Sequence, residues 1–384
     1  MTRRICVVTG TRAEYGLLRW VIDQLKWSGE VSLQIIATGM HLSPEFGLTV
    51  RSIEDDGYEV DRKVEMLLSS DTSVGLAKSV GVGVMGFADA IHDLKPDLLL
   101  LLGDRFEILS AAIAAMMARV PIAHIHGGEA TEGLIDESIR HSLTKMSHLH
   151  FVATEQYRRR VIQLGEQPSS VFNVGGLGVD AIRRVTRLGR SELEKSLGIR
   201  LLERNVLVTF HPVTLESHSA EAQMTELLAV LGQMNDTGIV FTMPNADTDG
   251  RVLIRQINEF CLSHSNAWAF VSLGQQRYFS CVDLVDIVIG NSSSGLTEVP
   301  SFRKPTINIG DRQKGRVKCS SVIDCSPDRV SISRAIQYAR SLEFEAVLKS
   351  TVNPYGDGGA SEAIVDILVR YSLEGLLKKR FYDL

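Results

Sequence analysis

Five consecutive leucines, Leu98–Leu102, stand between Asp97 and Gly103 in the stretch DLLLLLGDRFEILSAAIAAMMARVPIAHIHGGEATEGLIDESIRH (97–141). A run this apolar, without alternation, has no face to offer water. It reads as a strand buried on both sides, in a parallel sheet covered by helices and not in a half-exposed hairpin. Gly103 turns the chain, and Asp104, Arg105 and Glu107 fall where the strand gives way to a small-residue helix over 108–119. Pro121 opens a second apolar strand, PIAHI, which ends in His126, Gly127, Gly128 and Glu129. IDESIRH (135–141) then sets Asp136 against Arg140, and Glu137 against His141, one helical turn apart. Ligands of open α/β sheets bind at the carboxyl ends of the strands. Three polar clusters converging there make this stretch the active-site candidate.

The rest of the chain alternates in the same way. ICVV (5–8) feeds Thr9-Gly10-Thr11-Arg12 and a helix over 15–27, a turn suited to an anion. It is neither a G-x-G-x-x-G fingerprint nor a P-loop, so neither dinucleotide nor ATP binding is signalled. His41 lies in the Gly/Pro-bounded loop GMHLSPEFG (39–47), where a solvated side chain is the ordinary outcome, unless it faces the site and contacts substrate. The segment 72–94, rich in Gly, Val and Ala, predicts a long helix with close neighbours, stopped by Lys95-Pro96. GGLGVDAI (175–182) reads as a crossover, and 183–204 as a hinge and surface helix. Further strands are predicted at 206–210, 239–243, 267–271, 287–289 and 306–309, and closing helices at 362–370 and 373–379.

A chain of 384 residues exceeds what a single core normally serves. Strand–helix alternation in both halves predicts two Rossmann-like, doubly wound α/β domains. The expected division is 1–178, 179–364, and a C-terminal helix in 365–384 packing back towards the first domain. In the second half the polar residues again follow strands: HPVT (211–214), MPNADTDG (243–250), GNSSSGLTEVPS (290–301) and IGDRQKGR (309–316). An ordinary N-cap needs one serine. Ser292 and Ser293, within three serines between Asn291 and Gly295, instead suit phosphate oxygens. Glu298 suits ribose hydroxyls, and Arg312 and Arg316 suit a pyrophosphate. Carboxylates in one half and phosphate donors in the other predict a cleft holding a nucleoside diphosphate and its sugar.

A net charge of −5 argues against a nucleic-acid partner. Five scattered cysteines without a C-x-x-C pair fit reduced thiols and a cytoplasmic chain, with no zinc site. Neither a secretory leader nor an apolar membrane span of ~20 residues is read, so no membrane association is expected. ILSAAIAAMMAR (108–119) has hardly a charged face to give solvent, so it is either sandwiched within its domain or shared with a partner. A homodimer or homotetramer is expected.

Taken in order, GTRAEYG, GDRFE, HIHGGE, IDESIRH, HPVT, GNSSSG and GDRQKGR resemble the hydrolysing UDP-N-acetylglucosamine 2-epimerases of bacterial sialic-acid synthesis, over residues 3–372. The resemblance implies a GT-B-like fold with UDP in the inter-domain cleft. It also implies hydrolysis of UDP-GlcNAc to N-acetylmannosamine and UDP with inversion at C2, and no cofactor. By position in these motifs, Arg12 and Arg105 match arginines of the UDP and active-site region. His211, Asn245, Ser292, Ser293, Glu298 and Arg312 match the nucleotide site. Asp104, Glu129 and a member of the Asp136–Glu137 pair match the catalytic acids, with His211 also a catalytic candidate. His41 and Arg140 are further candidates for substrate contact. A sub-branch acts on a 2,4-diacetamido-2,4,6-trideoxy sugar nucleotide for legionaminic-acid synthesis, and non-hydrolysing epimerases share the fold and several acids.

Such a reaction removes a C2 proton as the C1–O bond breaks, leaves a 2-acetamidoglycal, and adds water. It needs a base, an acid and cations on the departing diphosphate. Asp104, Glu129 and Asp136 or Glu137 serve the first two, and Arg12, His211 and Arg312 the third. Crowded carboxylates repel, so at least one is expected to hold a raised pKa. A retaining glycosyltransferase would share the nucleotide site but has no use for three clustered acids, and neither has a nucleotide-sugar sensor.

Overall fold

The computed structural model describes residues 2–68, 72–132, 135–212, 219–244 and 248–384. Two compact units emerge: Met1–Glu129 with Ile135–Ala181 and Gly358–Leu384, and Ile182–Asp357 with Ala130–Leu134. In the first, seven strands, β1 (Arg3–Thr9), β2 (Val31–Thr38), β3 (Arg62–Val64), β4 (Leu98–Leu102), β5 (Ile122–Ile125), β6 (Leu149–Val152) and β7 (Val171–Asn173), form one sheet. Their order is β3-β2-β1-β4-β5-β6-β7, and every pairing is parallel. The second unit holds β8 (Arg204–Thr209), β9 (Thr237–Thr242), β10 (Ala267–Phe270), β11 (Ile287–Gly290), β12 (Thr306–Ile309) and β13 (Val322–Cys325). Their order is β10-β9-β8-β11-β12-β13, again all parallel. Both units are therefore doubly wound, with strand order reversing beside β1/β4 and beside β8/β11.

The penta-leucine run does what its composition requires. Leu98, Leu100 and Leu102 enter one core cluster with the helix Arg12–Trp27, while Leu99 and Leu101 enter the opposite one with Phe87 and Ala111. Small residues bring the second layer close. An added Cβ on Gly83 of the helix Ser73–Leu94 would lie 2.9 Å from Ser110 Cβ of the helix Phe106–Met117. Thr72 caps the amino end of Ser73–Leu94 by accepting from Gly75 N at 3.0 Å, and Lys95 ends it with φ 48°, just before Pro96.

Several expectations need correction. GGLGVDAI is no simple crossover, because Leu177–Arg184 is helical and its Asp180 accepts from Gly359 N at 2.8 Å and Ser361 N at 3.2 Å. That carboxylate caps the helix Ala360–Arg370 and ties the C-terminal segment to the first unit, which resumes at Gly358, seven residues before 365. Residues 374–377 form a turn in place of the second closing helix, since Gly375 at φ 70° leaves helical geometry. The edge strand β13 was not anticipated, because VIDC carries an exposed Asp324 and no alternation. Finally, the helix Ser73–Leu94 is long and apolar enough, by length and composition, to cross a membrane, contrary to the reading that no such span exists. Here its Gly83, Phe87, Ala90 and Ile91 are buried on the first sheet.

Candidate active site

Where strand order reverses between β1 and β4, the carboxyl ends of β1, β4 and β5 bring six carboxylates against two guanidiniums. The groups are Glu14, Asp104, Glu107, Glu129, Asp136 and Glu137 with Arg105 and Arg140. Arg140 is the hub and is 1% exposed. It donates to Asp104 Oδ2 through Nε at 2.9 Å and again through Nη2, to the Glu129 carbonyl at 3.0 Å, and to Glu137 Oε2 at 2.6 Å. The end of β4, the loop after β5 and the helix Ile135–Met146 are thus locked by one side chain. The sequence set Arg140 against Asp136; here the guanidinium is buried and pairs with Asp104 and Glu137 instead. Glu137 also meets His141 Nε2 at 3.0 Å.

Asp136 makes no hydrogen bond or ion pair among the described residues, and its pKa is raised. Burial is the main cause and the Asp104 charge adds to it, against Arg105 and Arg140. The expected high-pKa acid therefore exists. Glu129 is 5% exposed, with Oε1 3.7 Å from His126 Nδ1. His126 itself sits at φ 67°, a conformation costly for a residue with a Cβ and frequent at functional turns. Gly128, at φ 76°, lies where an added Cβ would be 2.5 Å from the Tyr157 carbonyl, so only glycine lets this turn close.

Two further carboxylates stand here: Glu107, read in the first polar cluster without a role, and Glu14, given none. Glu107 Oε2 accepts from Arg105 Nε at 3.2 Å, and Glu107 Oε1 from Arg105 Nη2 at 3.2 Å. Glu14 accepts from Gly10 N at 2.7 Å through Oε2, and its buried Oε1 has no hydrogen-bond partner among the described residues. Burial pushes the Glu14 pKa up to about 7, the Gly10 N–H opposes this, and the neighbouring Glu107 charge adds to the rise. The signal was present in Thr11-x-x-Glu14, which reads first as a helix cap: Glu14 N does bond Thr11 Oγ1 at 3.2 Å. Arg12 is exposed at the first position of that helix. His41 is neither solvated nor presented to a ligand. It is fully buried, with Nε2 3.0 Å from Thr9 Oγ1 and Nδ1 2.8 Å from Thr49 Oγ1, so both ring nitrogens are spent inside the fold.

In the second unit, Asn291 clamps both backbone groups of His211, accepting from its N at 2.7 Å and donating to its carbonyl at 2.8 Å. The Asn291 carbonyl in turn accepts from Arg312 Nη1 at 3.0 Å and Gln313 Nε2 at 2.8 Å. Gln313, unremarked in the sequence, thus belongs to this cluster at the ends of β8 and β11. Burial, with Arg312 adding to it, lowers the His211 pKa to about 4. At neutral pH it is an uncharged donor, not the cation expected. An added Cβ on Gly290 (φ 140°) would lie 1.9 Å from the Thr209 carbonyl, which fixes glycine at the head of the serine turn. The helix after it, Ser294–Thr297, is one turn long, so its dipole offers little and any anion would rely on hydroxyls and local N–H groups. Ser293 makes no side-chain cap bond there; Ser292 Oγ accepts weakly from Ser294 N at 3.4 Å, and Ser294 Oγ from Tyr278 at 2.7 Å. Glu298 Oε2 is buried with no hydrogen-bond partner among the described residues. Asn245 lies outside the described residues, as do Val213 and Thr214. Among the described residues no group of three or more His, Cys, Asp or Glu is placed to hold a metal ion.

The comparisons fit this chemistry. A family model described as UDP-N-acetylglucosamine 2-epimerase matches residues 23–369. The chain is 41% identical over its whole length, and 99% of the relative's, to a protein of Campylobacter jejuni named GDP/UDP-N,N'-diacetylbacillosamine 2-epimerase (hydrolyzing). It is also 41% identical, over 92% of this chain and 90% of the relative, to polysialic acid biosynthesis protein P7 of Escherichia coli. The crystal structure of UDP-GlcNAc 2-epimerase from Neisseria meningitidis bound to UDP-GlcNAc superposes with a TM-score of 0.83 at 19% identity, covering 96% and 100% of the two chains. Two parallel-sheet α/β domains of GT-B type are common to both.

Proposed function

Because the chain belongs to the UDP-N-acetylglucosamine 2-epimerase family, we propose that it hydrolyses a UDP-2-acetamido sugar with inversion at C2, releasing UDP and the free manno-configured sugar. The observation that carries this reading is the carboxylate cluster on Arg140 and Arg105, with one acid, Asp136, unpaired among the described residues and raised in pKa. One carboxylate, Asp104 or Glu129, takes the C2 proton while the C1–O bond breaks and UDP departs with the bonding electrons. Asp136 delivers its proton to C2 of the resulting glycal from the opposite face, while water adds its oxygen to C1 and gives up a proton that restores Asp136. Glu137 holds Arg140 and thereby Asp104. The serine turn, Arg312 and neutral His211 take the diphosphate, and Glu298 takes the ribose. No resident cofactor is called for.

For the sugar, the first reading is UDP-N,N'-diacetylbacillosamine, the 2,4-diacetamido-2,4,6-trideoxy nucleotide, supported by the name of the full-length Campylobacter relative. UDP-GlcNAc, giving N-acetylmannosamine for sialic-acid synthesis, is the second, supported by the polysialic-acid relative. A proton NMR time course on each nucleotide, without an acceptor, decides: the proposal requires free sugar and UDP from one of them. Release of neither, or accumulation of an epimerised UDP-sugar, goes against it.

The nucleotide assignment makes its own prediction. Replacing Ser292 and Ser293 together by Ala, or Arg312 by Ala, should weaken UDP binding by roughly 1–3 kcal/mol per lost charge-assisted contact. Unchanged affinity by calorimetry would remove these residues from the diphosphate site.

Self-association is proposed through the helices Ser73–Leu94 and Phe106–Met117. Ala111, Ala112, Ala114 and Ala115 are buried within the unit, yet Val74, Met85 and Met117 are 62%, 64% and 71% exposed. A second copy of the chain would cover that surface. Light scattering at micromolar concentration should give a dimeric or tetrameric mass; a monomer, or an oligomer unaffected by Met85→Glu with Met117→Glu, would contradict it.

A further inference from the structure

Beyond the helix Ala360–Arg370, the C-terminal segment closes on the far end of the helix whose first turns carry Asp136, Glu137 and Arg140. Lys379 Nζ donates to the carbonyls of Ser147 at 2.6 Å, Lys145 at 2.8 Å and Thr144 at 3.3 Å. Carbonyls at the end of the helix Ile135–Met146 have no partner within it, and a cation there also meets the negative end of the helix dipole. The same ammonium is 2.7 Å from Glu166 Oε2. Glu166, 1% exposed, accepts also from Lys145 at 2.6 Å and His150 at 2.9 Å. Burial raises its pKa, yet these donors together hold it down to about 2.

The neighbouring residues fix the lysine in register. Tyr382 N donates to the Gly165 carbonyl at 2.9 Å. The Phe381 ring occupies the place of a Cβ on Gly165, 2.2 Å from where that atom would stand. Lys145 Nζ lies 5.0 Å from the Phe381 ring centroid. The ammonium's side chain is just 24% exposed and therefore largely withdrawn from water.

We propose that Lys379 is a positioning residue for the reaction: by capping the helix Ile135–Met146 at its carboxyl end, it sets where Asp136 and Arg140 stand at the other end, relative to Asp104. Twelve residues of helix span about 18 Å and move as one body. A shift at the capped end therefore appears at the acid turn, where about 1 Å of misplacement is enough to cost a large factor in rate. This inference rests on the proposed function, since it takes the turn at Asp136 to be part of the chemistry.

The test is Lys379→Met in the full chain, with Lys379→Arg beside it. Glu166 keeps Lys145 and His150 in both variants, so neither leaves a buried carboxylate alone. The expected result for Lys379→Met is a kcat lowered at least ~10-fold with KM within about twofold. UDP affinity should be unchanged, and Lys379→Arg should recover most of the rate. Hydrogen exchange should quicken over the helix Ile135–Met146 as a unit and stay as in the parent over β1 and β4. A kcat for Lys379→Met within about twofold of the parent would overturn the proposal. So would exchange that rises evenly across the first unit, which would make Lys379 a general stabiliser. If the parent chain turns over neither nucleotide, the functional reading fails, and the exchange pattern alone still accepts or rejects the coupling from Lys379 to the acid turn.

Discussion

Asp104→Asn is expected to lower kcat at least ~100-fold while UDP still binds, the scale on which loss of acid–base participation is usually felt. The substitution removes a charge from the end of β4 but keeps the shape. Arg140 retains Glu137 Oε2 at 2.6 Å and the Glu129 carbonyl at 3.0 Å, so the guanidinium is not left buried alone. Glu129→Gln should act alike, because Glu129 lies in the turn that the same arginine holds. Steady-state kinetics with UDP calorimetry as the control for folding separates chemistry from binding. Near-parental turnover in both variants, with UDP affinity intact, would take the two carboxylates out of the reaction.

Glu14→Gln is expected to change the pH dependence of stability strongly. With its pKa raised from 4.5 to about 7, Glu14 holds its proton more tightly in the folded chain than in the unfolded one. The stability that this proton contributes is complete below about pH 4.5 and is lost as the pH rises through about 7. The size of the loss is on the order of 3 kcal/mol at pH 8. Glutamine mimics the neutral acid and can still accept from Gly10 N. The variant should therefore be about 2–3 kcal/mol more stable than the parent at pH 8 and nearly equal to it at pH 5. Denaturant titrations at the two pH values measure this directly, and parallel pH profiles for parent and variant would contradict it.

Much of the fold was legible because it rests on burial. Leu98–Leu102 cannot face water on either side, and that alone asks for a covered parallel strand. The carboxyl ends of β4 and β5 then follow as the place of chemistry. What was not legible depended on three-dimensional choice. Helical spacing allows Arg140 to reach Asp136 or Glu137 equally well; the end of β4 decides, because Asp104 draws the guanidinium inwards and Glu137 follows. Thr11-x-x-Glu14 has the spacing of a helix cap, and nothing along the chain says that Glu107 will be packed beside Glu14. His41 could be recognised as buried only once Thr9 and Thr49, thirty-two and eight residues away, met its two nitrogens. The tail is similar: a Lys379 amid exposed neighbours gives no sign that four acceptors from two other segments converge on it.

The central claim is that UDP leaves by elimination and that water, not UDP, completes the reaction. It is tested most directly by running the turnover in water labelled with deuterium and, separately, with oxygen-18, and analysing the products by NMR and mass spectrometry. The account predicts a free 2-epimerised sugar carrying one solvent deuterium at C2, oxygen-18 in its C1 hydroxyl, and unlabelled UDP. Oxygen-18 in the β-phosphate, retention of the C2 hydrogen, or accumulation of the epimerised UDP-sugar would contradict it.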